Sequence, residues 1–171
     1  GRVAIDRALE HEVFALTDSL SLGHFPYPQD DADPVTGAVT YRNLSDADVT
    51  LSLSANVTDE RGRAPAADMF TLAADEITVP AGGTAEVSLT VDPRVGDYGL
   101  YGGWLQAVDE DSGTHLRTAV GFFKETERYD IRIRGIDRDG RPAGGISNVD
   151  VINIDDQRIF AVRRLDGSTL V

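Results

Sequence analysis

Apolar and polar positions trade places in short bursts along this chain, and most of the bursts have period two. Residues 13–22 end in a clean alternation, Ser19-Leu20-Ser21-Leu22, which predicts a strand with one buried face. Residues 23–37 carry Pro26, Pro28 and Pro34 among Asp30, Asp31 and Asp33, and predict a loop. Six further strand-like runs follow at 38–42, 49–57, 76–79, 85–91, 98–108 and 114–123, each bounded by turn residues. Pro80 stops one of them because it cannot donate to a ladder, and Ala81-Gly82-Gly83 turns the chain into the next. The last two runs pair across the acidic turn 109–113.

Seven short strands at this spacing predict an all-β fold, an immunoglobulin- or fibronectin-III-like antiparallel sandwich. An eight-stranded jelly roll is the competing architecture. Parallel α/β finds no support, because no helical pattern separates the strands. The sandwich is expected over residues 12–125. Before it, residues 1–11 place Val3, Ile5, Ala8 and Leu9 among charges, a short amphipathic pattern read as the remnant of a preceding helix. After it comes an incomplete second β unit, 126–171, with strands at 129–136, 149–154 and 158–162. Three strands leave one face and an edge open. That unit is expected to dock on the first, pair with a second chain as a homodimer, or stay partly unfolded.

Composition narrows the function. Among 171 residues, 29 are acidic and 16 basic, a net charge of −13. Such a chain repels polyanions, so nucleic-acid binding is not expected, nor is attraction to an anionic membrane. No apolar run is long enough to insert as a transmembrane helix. Without cysteine there are no disulfides, thiol nucleophiles or cysteine metal sites. The charged first residues are no signal peptide, so an export signal would lie outside this stretch. The single lysine, Lys124, reads as coding bias.

Candidate chemistry is sparse. His11, His24 and His115 are far apart, and no nucleophile elbow, zinc-protease helix motif or phosphate-binding loop occurs. Asp137 and Asp139 begin a calcium-loop pattern that lacks its later ligands, and a hairpin turn is the competing reading. Tyr98, Tyr101 and Trp104 share one run with Gly99, Gly102 and Gly103. They could form an aromatic ligand platform; the first expectation is that Trp104 is a core residue packed between sheets, with glycines allowing close approach. Asn43-Leu44-Ser45 and Asn56-Val57-Thr58 fit the glycosylation sequon, at strand ends where Asn is favoured anyway.

Several short motifs, in order, resemble one family. Gly1-Arg2-Val3-Ala4-Ile5-Asp6-Arg7-Ala8 is similar to the closing helix of the subtilisin-like serine protease domain, with Ala4 in place of the usual Asp or Asn. Ser19-Leu20-Ser21-Leu22-Gly23, Val39-Thr40-Tyr41-Arg42-Asn43 and Val79-Pro80-Ala81-Gly82-Gly83-Thr84 resemble the fibronectin-III-like domain appended to large secreted subtilases. Tyr98-Gly99-Leu100-Tyr101-Gly102-Gly103 and Thr118-Ala119-Val120-Gly121 extend the likeness to about residue 125. Ile136-Asp137-Arg138-Asp139-Gly140-Arg141-Pro142-Ala143 resembles the first hairpin of carboxypeptidase-regulatory-like β modules. The family's three catalytic motifs are absent here, so no triad carries over.

The resemblance implies a non-catalytic, extracellular accessory domain without cofactor. Its partners would be its own protease domain and a protein or peptide substrate. The loops 23–37 and 109–113 are the expected contacts. The alternative is a carbohydrate- or cell-wall-binding sandwich using Trp104 and the tyrosines. A third reading is a calcium-dependent adhesion module.

Overall fold

The computed structural model describes residues 12–129, 132–133, 135–142, 147–152, 154, 159–165 and 169–170. The proposed remnant helix at 1–11 lies outside the described residues. The chain divides into two units, Gly1–Glu127 and Arg128–Val171.

The first unit contains β1 (Val13–Ala15), β2 (Ser19–Phe25), β3 (Val35–Asn43), β4 (Val49–Asp59), β5 (Phe70–Leu72), β6 (Glu76–Val79), β7 (Thr84–Val91), β8 (Gly99–Asp109) and β9 (Thr114–Lys124). They form two sheets, ordered β1-β3-β7-β5 and β2-β9-β8-β4-β6. The expected all-β sandwich is therefore the fold. Every pairing in it is antiparallel except β2 with β9, which is parallel.

Two departures from the sequence reading have one cause. Residues 13–22 are not a single strand: the chain leaves the four-stranded sheet after Ala15 and enters the five-stranded sheet at Ser19. Between them the backbone stays paired, with the Leu16 N–H donating to Thr40 O and the Ala119 N–H to Asp18 O. The opposite edge repeats the device. β5 lies beside β7, β6 lies beside β4, and the Ala73 N–H donates to Ser88 O while Leu53 donates to Asp75 O. The three-residue β5 carries too little alternation to stand out in sequence, so it was not expected.

Inward positions alternate as the pleat requires. Val39, Tyr41, Val87, Leu89 and Val91 face Leu51, Leu53, Leu105, Ala107, Val120 and Phe122 in one core. Tyr101 shares the parity of Leu105 and Ala107 and is 2% exposed, whereas Trp104 has the opposite parity and is 48% exposed. The expectation of a core Trp104 is thus corrected: it stands on the outer face of the five-stranded sheet. Close approach by a glycine does occur, at Gly103, where a Cβ would collide with the carbonyl oxygen of Asn56. A bulge in β2 at Gly23 (φ 106°) resets the phase so that Phe25 turns partly inward against Phe122.

Asn43 fastens one end of the sandwich. Fully buried, it donates from Nδ2 to Ala47 O at 2.7 Å and Val79 O at 3.1 Å, and its Oδ1 accepts from the Ser45 N–H at 2.9 Å. The β3–β4 turn is thereby tied to the end of β6. The Gly82 N–H adds a bond to Ser45 O, with Gly82 at φ 60°. Residues quoted for the family resemblance, Asn43 and the Pro80–Thr84 turn, meet at this corner.

In the second unit, β10 (Arg132–Ile133) pairs with β13 (Thr169–Leu170), and β11 (Ser147–Ile152) with β12 (Ile159–Leu165), both antiparallel. The expected strands at 149–154 and 158–162 correspond to β11 and β12. The run at 129–136 falls partly outside the described residues.

Asn43 and Tyr41 lie two positions apart on β3 and should respond oppositely. Asn43→Ala removes the side-chain donor from the buried Val79 carbonyl and the acceptor of the Ser45 N–H, and should lower stability by about 2 kcal/mol. The Tyr41 hydroxyl is buried with no hydrogen-bond partner among the described residues, and burial pushes its pKa up to about 12. Tyr41→Phe should leave stability unchanged or raise it by about 1 kcal/mol. Urea denaturation of both variants decides, and a large loss in Tyr41→Phe would contradict the assignment.

Candidate functional site

Three loops gather at the end of the sandwich opposite the Asn43 corner: β2–β3, β4–β5 and β7–β8. The chain leaving β9 joins them. Each segment is braced from within. In the first, the buried Gln29 donates from Nε2 to Phe25 O and Glu125 O, both at 3.0 Å, tying the loop to the exit of β9. The Tyr27 N–H donates to Glu125 Oε2, and the Tyr27–Pro28 bond is cis. In the second, Asp59 Oδ1 accepts from the Arg61 and Arg63 N–H groups at 2.9 and 2.8 Å, and Oδ2 accepts from Arg63 Nε at 2.6 Å. The backbone donation from Arg63 is the chief reason the Asp59 pKa is lowered.

The third loop is held by Asp92 and by two long side chains. Arg94 grips Asp92 with Nε at 2.9 Å and Nη2 at 2.7 Å. Tyr101 reaches out of the core to donate its hydroxyl to Asp97 O at 2.8 Å. Lys124 is buried at the end of β9 and donates Nζ to Gly96 O at 2.7 Å and Val95 O at 3.2 Å, with Nζ 5.2 Å from the Tyr98 ring centroid. Burial lowers its pKa, against the pull of Asp97, Asp92 and Asp30. The sequence marked Lys124 only as the single lysine; the singularity was the signal, and composition gave no means of reading it.

Between these segments lies an open cleft of about 580 Å³. Arg61, Arg63, Arg94 and Lys124 line it together with Asp30, Asp59, Glu60, Asp97 and Glu127. Those are four of the six cations between residues 12 and 127, so the domain's scarce positive charge is concentrated here. Arg63 is paired with Asp59 and lies 3.5 Å from Asp97, whereas the Arg61 guanidinium has no ion-pair partner among the described residues. Tyr27 and Tyr98 meet edge to face at 6.2 Å on one wall. None of the lining residues is His, Ser, Thr or Cys. The cleft offers charge of both signs and two aromatic rings.

The residues singled out from sequence scatter. Tyr98 lines the cleft, Tyr101 is in the core and Trp104 is on the sheet face, so the three do not make one platform. Asp137 accepts the Asp139 and Arg141 N–H groups at 2.9 and 2.8 Å on its own Oδ1, within a turn closed by the Ile136–Pro142 bridge. That is hairpin-turn chemistry. No group of three or more His, Cys, Asp or Glu able to hold a metal occurs among the described residues.

Of the two expected contact loops, 23–37 shrinks to residues 26–34, since β2 runs to Phe25 and β3 starts at Val35. That loop contributes to the cleft. The turn 109–113 lies at the other end of the hairpin β8–β9, roughly 35 Å away at strand rise. There Asp109 accepts from the Asp111 N–H and the Ser112 hydroxyl, which outweigh its burial and lower its pKa. One surface cannot use both loops. Asn43 is enclosed and hydrogen-bonded, hence no sequon acceptor, while Asn56 is exposed on β4.

Neither a family model nor a curated protein matches this chain. Solved structures do. An ASH/PapD-like domain of human CEP192 (PapD-like domain 7) superposes with TM-score 0.51 at 19% identity, over 68% of this chain and 87% of that one. A family 123 glycoside hydrolase from Clostridium perfringens gives TM-score 0.51 at 9% identity, over 64% of this chain and 23% of that one. The likeness is one of fold. The fold is an all-β, immunoglobulin-like sandwich similar to that PapD-like domain, and nothing in the matches links it to a subtilase.

The Asp92–Arg94 pair makes a pH prediction at the cleft rim. The Arg94 hydrogen bonds, opposed by burial, hold Asp92 at about 2 against 3.8 for the free group. A carboxylate depressed in this way stabilises the folded state fully above its unfolded pKa and loses that contribution as pH falls through the folded one. The melting temperature should therefore fall more steeply between about pH 4 and pH 2 in the native chain than in Asp92→Asn. Parallel curves would mean that the pair contributes nothing.

Proposed function

We propose that this chain is a non-catalytic interaction module of a secreted subtilisin-like serine peptidase, and that the loop-built cleft holds an extended polypeptide segment. The observation that carries the proposal is the cleft itself. Its lining places unpaired and paired cations beside carboxylates and tyrosines, a mixture that matches a polypeptide, which carries both signs of charge and apolar side chains. Rigid strands hold all its loops, and such loops are where binding sites usually sit.

The peptidase part of the proposal rests on the ordered motifs. Ser19–Gly23 and Val39–Asn43 lie on framework strands, and Val79–Thr84 forms the turn at the Asn43 corner. The partners are the peptidase's catalytic domain and its peptide substrate, the parent is extracellular, and the module itself breaks no bond.

Fluorescein-labelled unfolded casein should bind the chain and remain intact. Arg61→Glu should weaken that binding roughly tenfold without lowering the melting temperature. Casein turnover abolished by a serine-reactive inhibitor would overturn the non-catalytic reading, and binding indifferent to Arg61→Glu would overturn the cleft. A subtilase catalytic domain encoded directly upstream of Gly1 is expected. A different neighbour would remove the peptidase part and leave the cleft standing.

A further inference from the structure

Gly102 and Gly121 face each other across β8 and β9, two interior strands of the five-stranded sheet. Glycine weakens a strand interior, and it usually marks a bulge, a bend or the close approach of another group. Gly121 pairs with Ser21, the last residue before the β2 bulge, yet the bulged backbone does not approach within 4 Å of where its Cβ would lie, and no bulge adjoins Gly102. The β8–β9 register is continuous from Gly99 to Asp109, and neither residue needs a positive φ. A Cβ on Gly121 would meet nothing within 4 Å, and one on Gly102 would come no closer than 3.8 Å, to Val120 O. Gly103 is the contrast, because there the backbone of β4 excludes a side chain. The space a side chain would fill at 102 and 121 is left open to a group approaching from outside.

Above the two glycines is an open trough of about 370 Å³, walled by Leu100 and Thr58 and closed at one end by Asp59 and Glu60. Leu100 and its cross-strand partner Phe123 are exposed on one side, and His24 stacks on Phe123 at 5.0 Å. Trp104, the next outward residue on β8 after Gly102, is exposed on the other side. Leu100 and Trp104 are ~13 Å apart along the strand, enough for a flat ring to lie on the glycine Cα atoms.

The chemistry of the face selects the occupant. Its three cross-strand rows run from His24 to Leu100, from Ser21 to Thr58 and from Ser19 to Asn56, and none includes Asp, Glu, Lys or Arg. Over the whole chain 26% of residues are charged. Apart from the carboxylates of Asp59 and Glu60 at one end of the trough, the face offers an indole, apolar walls, hydroxyls and an amide, the groups that suit a ring with an apolar C–H face and a hydroxyl rim. A peptide strand would find the backbone of β8 and β9 already paired on both sides. A second copy would need about 800 Å² of contact per partner, and the uncharged patch offers roughly 400 Å². We propose that this face binds a neutral polysaccharide, with Gly102 and Gly121 as its floor and Trp104 as its stacking wall.

The chain has one tryptophan, so its fluorescence reports on the trough directly. Native gels containing mixed-linkage β-glucan, galactomannan or arabinoxylan should retard the 171-residue chain in at least one case, with a blue shift of Trp104 emission. Polygalacturonate, a polyanion, should not retard it. Gly102→Val and Gly121→Val fill the floor with residues that favour strands, so they should fold while weakening binding roughly tenfold or more. Trp104→Ala should weaken it similarly. The proposal is overturned if no neutral polymer retards the chain, or if both valine variants bind as the native chain does. It is also overturned if light scattering reveals a dimer that the valine variants dissolve, since the face would then belong to a second copy.

Discussion

A two-sheet sandwich has four edges, and bare edge backbone is open to pairing with other chains. Here the chain handles two of these corners by switching sheets: once between β1 and β2 at residues 16–18, once between β5 and β6 at residues 73–75. In both places the backbone keeps its partners through the crossing. Thr17 shows how tightly this is arranged, since its carbonyl accepts from Thr118 Oγ1 while its own Oγ1 accepts from the Thr40 N–H. The first crossing forces β2 to run parallel to β9. That delivers the β2–β3 loop to the end where β9 exits, which is why Gln29 can bond both Phe25 O and Glu125 O. The cleft follows from the topology before any of its side chains is considered.

What the sequence disclosed and what it hid divide along the same physical line. Long alternating runs such as 49–57 and 114–123 were legible because each inward residue removes apolar surface from water and each outward one does not. The first crossing was hidden because the apolar run 13–16 leads almost directly into the alternation at 19–22, and the second because the three-residue β5 gives no alternation to read. Trp104 was misplaced for a related reason. Gly99, Gly102 and Gly103 carry no in-or-out information, so parity along β8 had to come from Leu105 and Ala107, and Val108 beside them blurred it. The cleft was nearly invisible. Its residues come from four separated stretches, and Arg61, Arg63, Arg94 and Lys124 have no shared spacing that sequence alone could reveal.

Charge is partitioned as unevenly as structure. Residues 1–127 hold 22 acidic and 8 basic residues, and residues 128–171 hold 7 and 8, so the net charge of −13 belongs entirely to the first unit. Inside that unit most carboxylates lie on turns, several of them capping their own backbone as Asp59, Asp92 and Asp109 do. Read as a surface, such a domain repels polyanions. Read as a set of turns, it shows that much of the acidity is conformational, because Asp accepts the N–H groups that tight turns leave unpaired. Asp137, which begins a calcium-loop pattern in the sequence, is accounted for in this way, with its Oδ1 committed to the Asp139 and Arg141 amides.

The two ends of the sandwich are thus built on different principles. At the Asn43 corner an enclosed amide and two turns satisfy one another completely, and a change there propagates into β3, β4 and β6 together. At the cleft end several braces are local, Asp59 within its own turn and Asp92 with Arg94, while Gln29 ties its loop to the exit of β9 and Arg63 reaches Asp97 of the next loop. Independent braces let one loop change without unfolding its neighbours, since effects at separated sites that share no partners are close to additive. A buried link between segments is Lys124, whose ammonium joins β9 to the β7–β8 loop and holds Val95 O and Gly96 O at once. Arginine could not replace it there without bringing a larger, planar head into the same space. In a chain that otherwise uses arginine for every cation, the geometry of that one enclosed site supplies a physical reason for the single lysine.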